Sequence, residues 1–570
     1  MHDHQKLVYA TGRDVRRRRR RMRRDDTRRD RSVRLLVRPT DPVCCAWIFL
    51  VFASQAGSYR SGLPCQCRHR AMASVVSRGT HSSHLTRHTF KFKTKMTSHL
   101  YRFRSIDRLL GSSKELERQE IYFASPDQLN DPLEGRKNIY WQGDLIVWEN
   151  LFRHYLVCLL HAYGLVGLRP MEESPEWNEI PLRDPYGNAD HPVIKELHDR
   201  IFDAFFSNPA VAAYVRSLAA SQHRVRQTEL GVHLHHLHPI ALILIDMIMH
   251  QRDGDSETPL KFKTQLADLM KHLLHIASTL DKTPFACNGD ENLIDAVYAA
   301  QQNAISQMDL IRLYNREINP EEKGRVFIGC DFPMGYLRQL ESLMHRPWYA
   351  ACFMQHCSDS SMWGYYGSSH AGICLKFKAR QIDDRLVLRL RTLNGENSAG
   401  RIYSKLDHQF YPVTYDATHV EINFFRTLGS LPIPIANRQW YTDRNGNRSI
   451  CVPYESGGEQ EFRDRYWREF NTAATTKTKA WEPESEYRLV LHSMLFDLTT
   501  EDRKLQYDFD DLDGIIFGIR TSLDDKLKIS KVIEDKCRSL GRKDFKFYQA
   551  QFSRQTGKIE YSPMSLLKFD

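Results

Sequence analysis

Residues 349–391 read YAACFMQHCSDSSMWGYYGSSHAGICLKFKARQIDDRLVLRLR, and their punctuation decides the fold. YAACFMQ reads as a strand. Ser358 is placed to cap a short helix through SSMWGYYG. GICLKF at 372–377 is a clear strand, and RLVLRLR at 385–391 follows it as another. Short strands separated by a helical turn, with no repeated strand–helix alternation, point away from a doubly wound parallel sheet.

Working outward, the same texture returns on both sides. LYRFR at 100–104 is a short strand. Ser105 can cap a helix whose apolar face is Ile106, Leu109 and Leu110. IYFAS at 121–125 is a strand. SPDQLNDPLEG at 125–135 is broken by Pro126, Pro132 and Gly135 and reads as a structured loop, because its short polar side chains bond their own backbone. On the far side, the Asn-Gly pair in TDRNGNRSI predicts a type I′ hairpin turn. YRLVLHS at 487–493 and DGIIFGI at 513–519 are strands. TSLDDKLKISKVIEDKC is a helix, and FKFYQAQF and KIEYS close the chain as strands. From about Trp141 to Arg325, Leu and Met recur at three- and four-residue spacing, the mark of packed amphipathic helices. The expected fold is α+β: a mixed, mostly antiparallel sheet of short strands (residues 96–140 and 345–570) with a large helical insertion at 141–330.

Composition narrows the function classes. The chain has 570 residues, 41% hydrophobic and 26% charged, with a net charge of +11. Residues 1–95 carry 23 Lys and Arg against 6 Asp and Glu, leaving 58 against 64 for the rest. The basic character therefore belongs to the leader, whose Arg16–Arg24 stretch is nearly pure arginine. That leader is expected to be disordered and dispensable, with Met96 as the natural start; if translated, it would bind nucleic acid nonspecifically. Twelve cysteines are too sparse for a secreted disulfide scaffold. The longest apolar runs, 43–53 and 240–249, fall short of the roughly 20 residues a membrane span needs. The expected setting is cytoplasmic, with no membrane partner.

Three sets of residues carry candidate chemistry. GVHLHHLHP holds His233, His235, His236 and His238, but no ligand spacing completes a metal site; it reads as a polar turn ahead of an apolar helix, and no metal is expected. Cys352, Cys357 and Cys374 with His356 suggest a Cys–His pair, yet Cys352 lies in an apolar strand and reads as a structural thiol. The third set comprises Tyr101-Arg102, Asn130-Asp131, Met362-Trp363 and Glu484-Ser485-Glu486, all at strand ends or in rigid loops, where sites are commonly assembled. Asp131, Glu134, Glu484 and Glu486 could also serve a metal-dependent nuclease.

These blocks resemble the domain-of-unknown-function 2971 family, found mainly in bacteria. LYRFRSIDRLL…IYFASPDQLNDPLEG resembles its opening. Cys352-Phe353, Met362-Trp363 with Tyr366, and His370 with Gly372 resemble its middle block. Lys479, Trp481, Glu484, Glu486, Tyr487 and Arg488, then Ile515, Ile516 and Gly518, resemble its last. The helical insertion and the turn near Tyr441 depart from that pattern. A second, weaker resemblance is to mono-ADP-ribosyltransferases, through Tyr101-Arg102, then Trp363 and Tyr366, then Glu484 and Glu486; the Ser-Thr-Ser strand of the toxin branch is missing. It implies an NAD-using enzyme acting on a macromolecular target, in bacterial defence. In that reading Arg102 holds the pyrophosphate and Tyr366 stacks on nicotinamide. Glu486, with Glu484 beside it, stabilises the oxocarbenium-like cation. Tyr101, Asn130, Asp131, Trp363 and His370 complete the cofactor site. The alternative is a non-catalytic ligand-sensing or protein-interaction module in which Glu486 pairs with Arg488 or Lys479. The enzyme reading expects Arg102, Trp363 and Glu486 to line one cleft, and Glu486→Gln to leave stability nearly unchanged.

Overall fold

The computed structural model describes residues 98–569 apart from 132, 188–190, 222, 253–259, 281–286, 288, 399, 417–419, 455–457 and 495–496. The basic leader, its cysteines and the Met96 start lie outside these residues. The strands are β1 (Ser98–Arg104), β2 (Glu120–Tyr122), β3 (Asn138–Trp141), β4 (Val225–Arg226), β5 (Trp348–Met354), β6 (Ile373–Ile382), β7 (Arg385–Asn397), β8 (Gly400–Pro412), β9 (Thr414–Tyr415), β10 (Glu421–Asn423), β11 (Thr476–Lys477), β12 (Glu486–His492), β13 (Lys504–Tyr507), β14 (Leu512–Phe517), β15 (Lys546–Phe552) and β16 (Ile559–Pro563).

The main sheet runs β16-β15-β14-β6-β1-β5-β12-β8-β7-β13-β2, with β6 also pairing β7. The pairings β6–β1–β5–β12–β8–β7–β6 therefore form a closed circuit, antiparallel throughout. β6 makes this possible by its length. Residues 373–379 pair with β1, and residues 380–382 turn through Asp383 into β7. The parallel pair of this sheet is β14–β15. Such a pair needs a crossover, and the helix Leu523–Leu540, capped by Ser522, supplies it. The α+β expectation with a mostly antiparallel sheet holds.

The helical region is built from α1 (Leu145–Leu168), α2 (Pro192–Phe206), α3 (Pro209–Ala220), α4 (Gln227–Arg252), α5 (Leu260–Ala277), α6 (Glu291–Tyr314) and α7 (Phe332–Met344). α1 and the 227–250 stretch of α4 are long and apolar enough to cross a membrane, but half or more of each is buried inside the fold. The His-rich stretch is not a turn; it lies inside α4, where tyrosines of neighbouring helices each take a ring nitrogen of His233, His236 and His238, while His235 bonds Gly231 O of its own helix. Tyr214 Oη lies 2.7 Å from His233 Nδ1 and 3.2 Å from His236 Nδ1, and Tyr155 Oη 2.7 Å from His238 Nδ1.

The helical core also recruits residues from far downstream. Ile422, Phe424, Phe425, Trp440 and Tyr441 pack into it, and β10 pairs in parallel with β3. The segment 420–452, grouped with the strands on sequence grounds, thus joins the helices. The expected hairpin near Tyr441 is a tight turn closed by one bridge, Thr442 to Arg448. Gly446 there takes positive φ, Asn445 does not, and Asp443 Oδ1 caps the turn through the Asn445 and Asn447 amides.

Candidate functional site

A cleft of about 700 Å³ opens between β1, β5, the 124–134 loop and the segment leading into β12. Its position follows from local structure. Tyr101 sits opposite Met354 in the β1–β5 register, and Glu486 pairs with Met354 from the other side. Alternation along β1 turns Leu100 and Arg102 inward. Arg102 is only 4% exposed, donating to Tyr122 O (3.0 Å) and Cys352 O (3.3 Å), with its guanidinium 5.2 Å above the Phe353 ring. Among the described residues no carboxylate pairs with it.

Outside residue 132, the 124–134 loop is held by local side-chain-to-backbone bonds of the expected kind. Ser125 and Gln128 form a reciprocal cap, and Asp131 Oδ1 accepts from the Leu133 amide at 2.9 Å. Gly135 takes φ +69°, and a Cβ there would come within 2.6 Å of the Trp348 ring. This pins the preceding Glu134.

Beneath the cleft lies a buried charge cluster. Lys477 Nζ stands 2.8 Å from Glu134 Oε1, 2.6 Å from Glu484 Oε2 and 2.9 Å from Glu486 Oε2. Arg488 reaches Glu486 Oε1 through Nε (2.8 Å) and Glu134 Oε1 through Nη2 (2.9 Å), and donates to Ala474 O. Period-2 alternation in β12 puts Glu486 and Arg488 on one face, which is why they meet. Lys477 arrives by a different route. The two-residue β11 pairs in parallel with β9, and from β9 Tyr415 Oη accepts the Glu486 amide at 2.7 Å. Tyr366 donates its hydroxyl to Glu484 Oε1. Burial pushes the Glu486 carboxyl up, but Arg488 and Lys477 outweigh this and hold it down to about 2. At Glu134 and Glu484 burial wins, and both are raised. The Cys352 thiol beside Glu486 is pushed well up by burial, which leaves it a poor nucleophile.

Of the residues singled out from sequence, Tyr101, Arg102, Asn130, Tyr366, Glu484 and Glu486 line this one cleft. Asp131 is buried in the loop behind it. Trp363 does not reach the cleft: it is fully buried, donating Nε1 to Cys357 O (2.8 Å), edge-on to Phe103 and stacked on His370. The helix that carries it, α8 (Ser360–Tyr365), is capped by Asp359 rather than Ser358. The lysine of the cluster is Lys477, not Lys479. Lys477 had no local signal, because a two-residue strand has no periodicity. Among the described residues no group of three or more His, Cys, Asp or Glu is arranged to hold a metal ion.

No curated protein and no solved structure matches the chain, and nothing in these comparisons bears on the likeness to ADP-ribosyltransferases. The blocks at 100–136, 352–353 and 515–518 fall outside the family match that is found. Residues 362–489, which carry Tyr366, Lys477, Glu484, Glu486 and Arg488 of the cleft and its cluster, match the model of a family described as "Protein of unknown function (DUF2971)".

Proposed function

We propose that the cleft binds a nucleotide of the NAD class and that the protein transfers ADP-ribose from it to a macromolecular target, in the setting of bacterial defence. The observation that carries this reading is Arg102, a buried guanidinium without a carboxylate partner among the described residues, on the wall of a cleft that also holds Glu484 and Glu486. A buried cation without a counter-ion is costly, and an anionic ligand such as a pyrophosphate would complete it. The cleft volume is of the size that holds a ligand of this class. Glu486, ionised at neutral pH, would stabilise a developing oxocarbenium cation electrostatically. Calorimetric titration with NAD tests the binding step. Arg102→Met is expected to weaken binding about tenfold or more, and labelled NAD with cell extract is expected to label a macromolecule. Absence of NAD binding by the full chain would sink the proposal.

One observation favours a second reading, a ligand-sensing module. Both Glu486 oxygens already accept from Arg488, and Oε2 lies beside Lys477 as well, so the carboxylate is engaged in the ion-pair network before any ligand arrives. In that case NAD or another anion binds without turnover. The nuclease reading is weakened by Lys477, whose ammonium stands between the three carboxylates that would bind Mg²⁺.

A further inference from the structure

Three carboxylates and two cations meet beneath the cleft, and their six carboxylate oxygens are not equally served. Glu484 Oε1 accepts from Tyr366 and Oε2 from Lys477. Glu486 Oε1 and Oε2 accept from Arg488, with Lys477 adding to Oε2. Glu134 Oε1 is shared by Lys477 and Arg488. Glu134 Oε2 has no hydrogen-bond partner among the described residues, although it is buried. A buried carboxylate oxygen without a donor is expensive, and the cluster carries one more carboxylate than it has cations to balance. Glu134 itself lines the cleft, held there by the Gly135 turn described above.

We infer that Glu134 supplies the cleft with a hydrogen-bond acceptor for a hydroxyl of the bound ligand, so that the site recognises a sugar phosphate: the anion at Arg102 and a ribose hydroxyl at Glu134. The inference rests on the reading of the cleft as a nucleotide site, and it assigns the hydroxyl contact to Glu134 instead of Glu486. The reason is which lone pairs are already taken. Glu486 sits at the closed centre of the ion-pair network, whereas Glu134 is the member with an unmet oxygen. The orphan oxygen and the Arg102 guanidinium without a carboxylate partner are independent features of the same cleft, and a ligand that carries both an anion and a hydroxyl satisfies both.

The test titrates the full chain with ADP-ribose and with inorganic pyrophosphate as an anion-only probe. Glu134→Gln is expected to weaken ADP-ribose about tenfold or more while leaving pyrophosphate within about twofold, a margin small beside any lost hydrogen bond to a charged group. Arg102→Met is expected to weaken both. Because Glu134→Gln also touches Lys477 and Arg488, the unmodified protein is titrated with ADP-ribose analogues lacking the hydroxyls of one ribose or the other. One analogue is expected to lose about the same tenfold. Unchanged ADP-ribose affinity in Glu134→Gln, equal loss for both probes, or full affinity for both analogues would each overturn the Glu134 assignment while the nucleotide reading stands. Failure of the unmodified protein to bind ADP-ribose removes the nucleotide reading, and the assignment with it.

Discussion

Glu486 is asked to serve the site and the fold at once, and the geometry says which demand dominates. Removing one partner of a buried ion pair leaves the other charge uncompensated, at a cost of about 3–5 kcal/mol. Glu486→Gln takes from the fully buried Arg488 the carboxylate that serves its Nε and leaves it the Glu134 oxygen it shares with Lys477, so stability does not stay nearly unchanged: urea unfolding is expected to show a loss toward the lower end of that range. Arg488→Met is expected to cost about as much. The double variant should cost less than the sum, because the two single losses share one pair. The pH dependence has a definite sign. The folded carboxyl of Glu486 lies near 2 against an ordinary 4.5, so its stabilisation is present above 4.5 and is lost as pH falls through about 2. Glu134 and Glu484, both raised by burial, act oppositely: their share is present below 4.5 and is lost as pH rises through their folded values. The gap in urea midpoint between the parent chain and Glu486→Gln should therefore narrow on acidification below 4.5. A gap that widens there would mean Glu486 is not the ionised partner.

The turn that follows α8 is built on left-handed backbone. Ser368, Ser369 and His370 adopt φ of +49°, +53° and +72° in succession. Left-handed residues other than glycine cost roughly 1–2 kcal/mol each, and such strain persists where the surroundings over-determine it. Here the surroundings are close backbone contacts. A Cβ on Gly518 would lie 2.3 Å from His370 O, and one on Gly372 would lie 2.5 Å from Arg104 O. Gly518→Ala is expected to destabilise by about 1–3 kcal/mol, as overpacking does. Ser369→Gly, at an exposed position, should be neutral or stabilising; a marked loss of thermal stability would show that its side chain, not its backbone, is needed. This turn also marks where sequence reading stops. β1, β12 and β14 were legible because alternation or apolar runs announce them, as was the proline-punctuated 124–134 loop. The left-handed run was not, since Ser-Ser-His carries none of the glycine that such backbone normally signals. β8 escaped because Ile402, Leu406 and Phe410 on one face are interrupted by Ser404 and His408, and Phe410 is the strand's one buried residue, so no continuous apolar alternation announces it. The α4 histidines looked like a turn because the tyrosines that bond His233, His236 and His238 come from other helices. Lys477 depends on the β9–β11 pairing across more than sixty residues, which no local pattern encodes.

For the whole molecule the question is whether the helices are an insertion in the physical sense, a unit that can be lifted out. Two large apolar clusters exist, one mainly helical and one within the sheet. Their membership does not follow the chain. Phe424, Phe425, Trp440 and Tyr441 come after most strands of the sheet, yet each is at most 1% exposed because of the helical cluster. Arg226 on β4 also pairs with Glu421 on β10 at 2.7 Å. Aromatic side chains bury some 150–250 Å² apiece. At about 25 cal/mol per Å², exposing four of them would cost on the order of 15–25 kcal/mol as an upper bound. That exceeds the 5–15 kcal/mol by which a domain is usually stable. A chain in which residues 145–344 are replaced by a short linker is therefore expected to aggregate or to show no cooperative unfolding, even though every strand of the main sheet remains in its sequence. Phe425→Ala in the full chain gives the matching point test: it should cost about 3–5 kcal/mol, although it lies well outside the helical stretch. A soluble, cooperatively unfolding chain without 145–344 would show instead that the 420–452 segment can repack on the sheet alone, and that the helices are a separable addition to it.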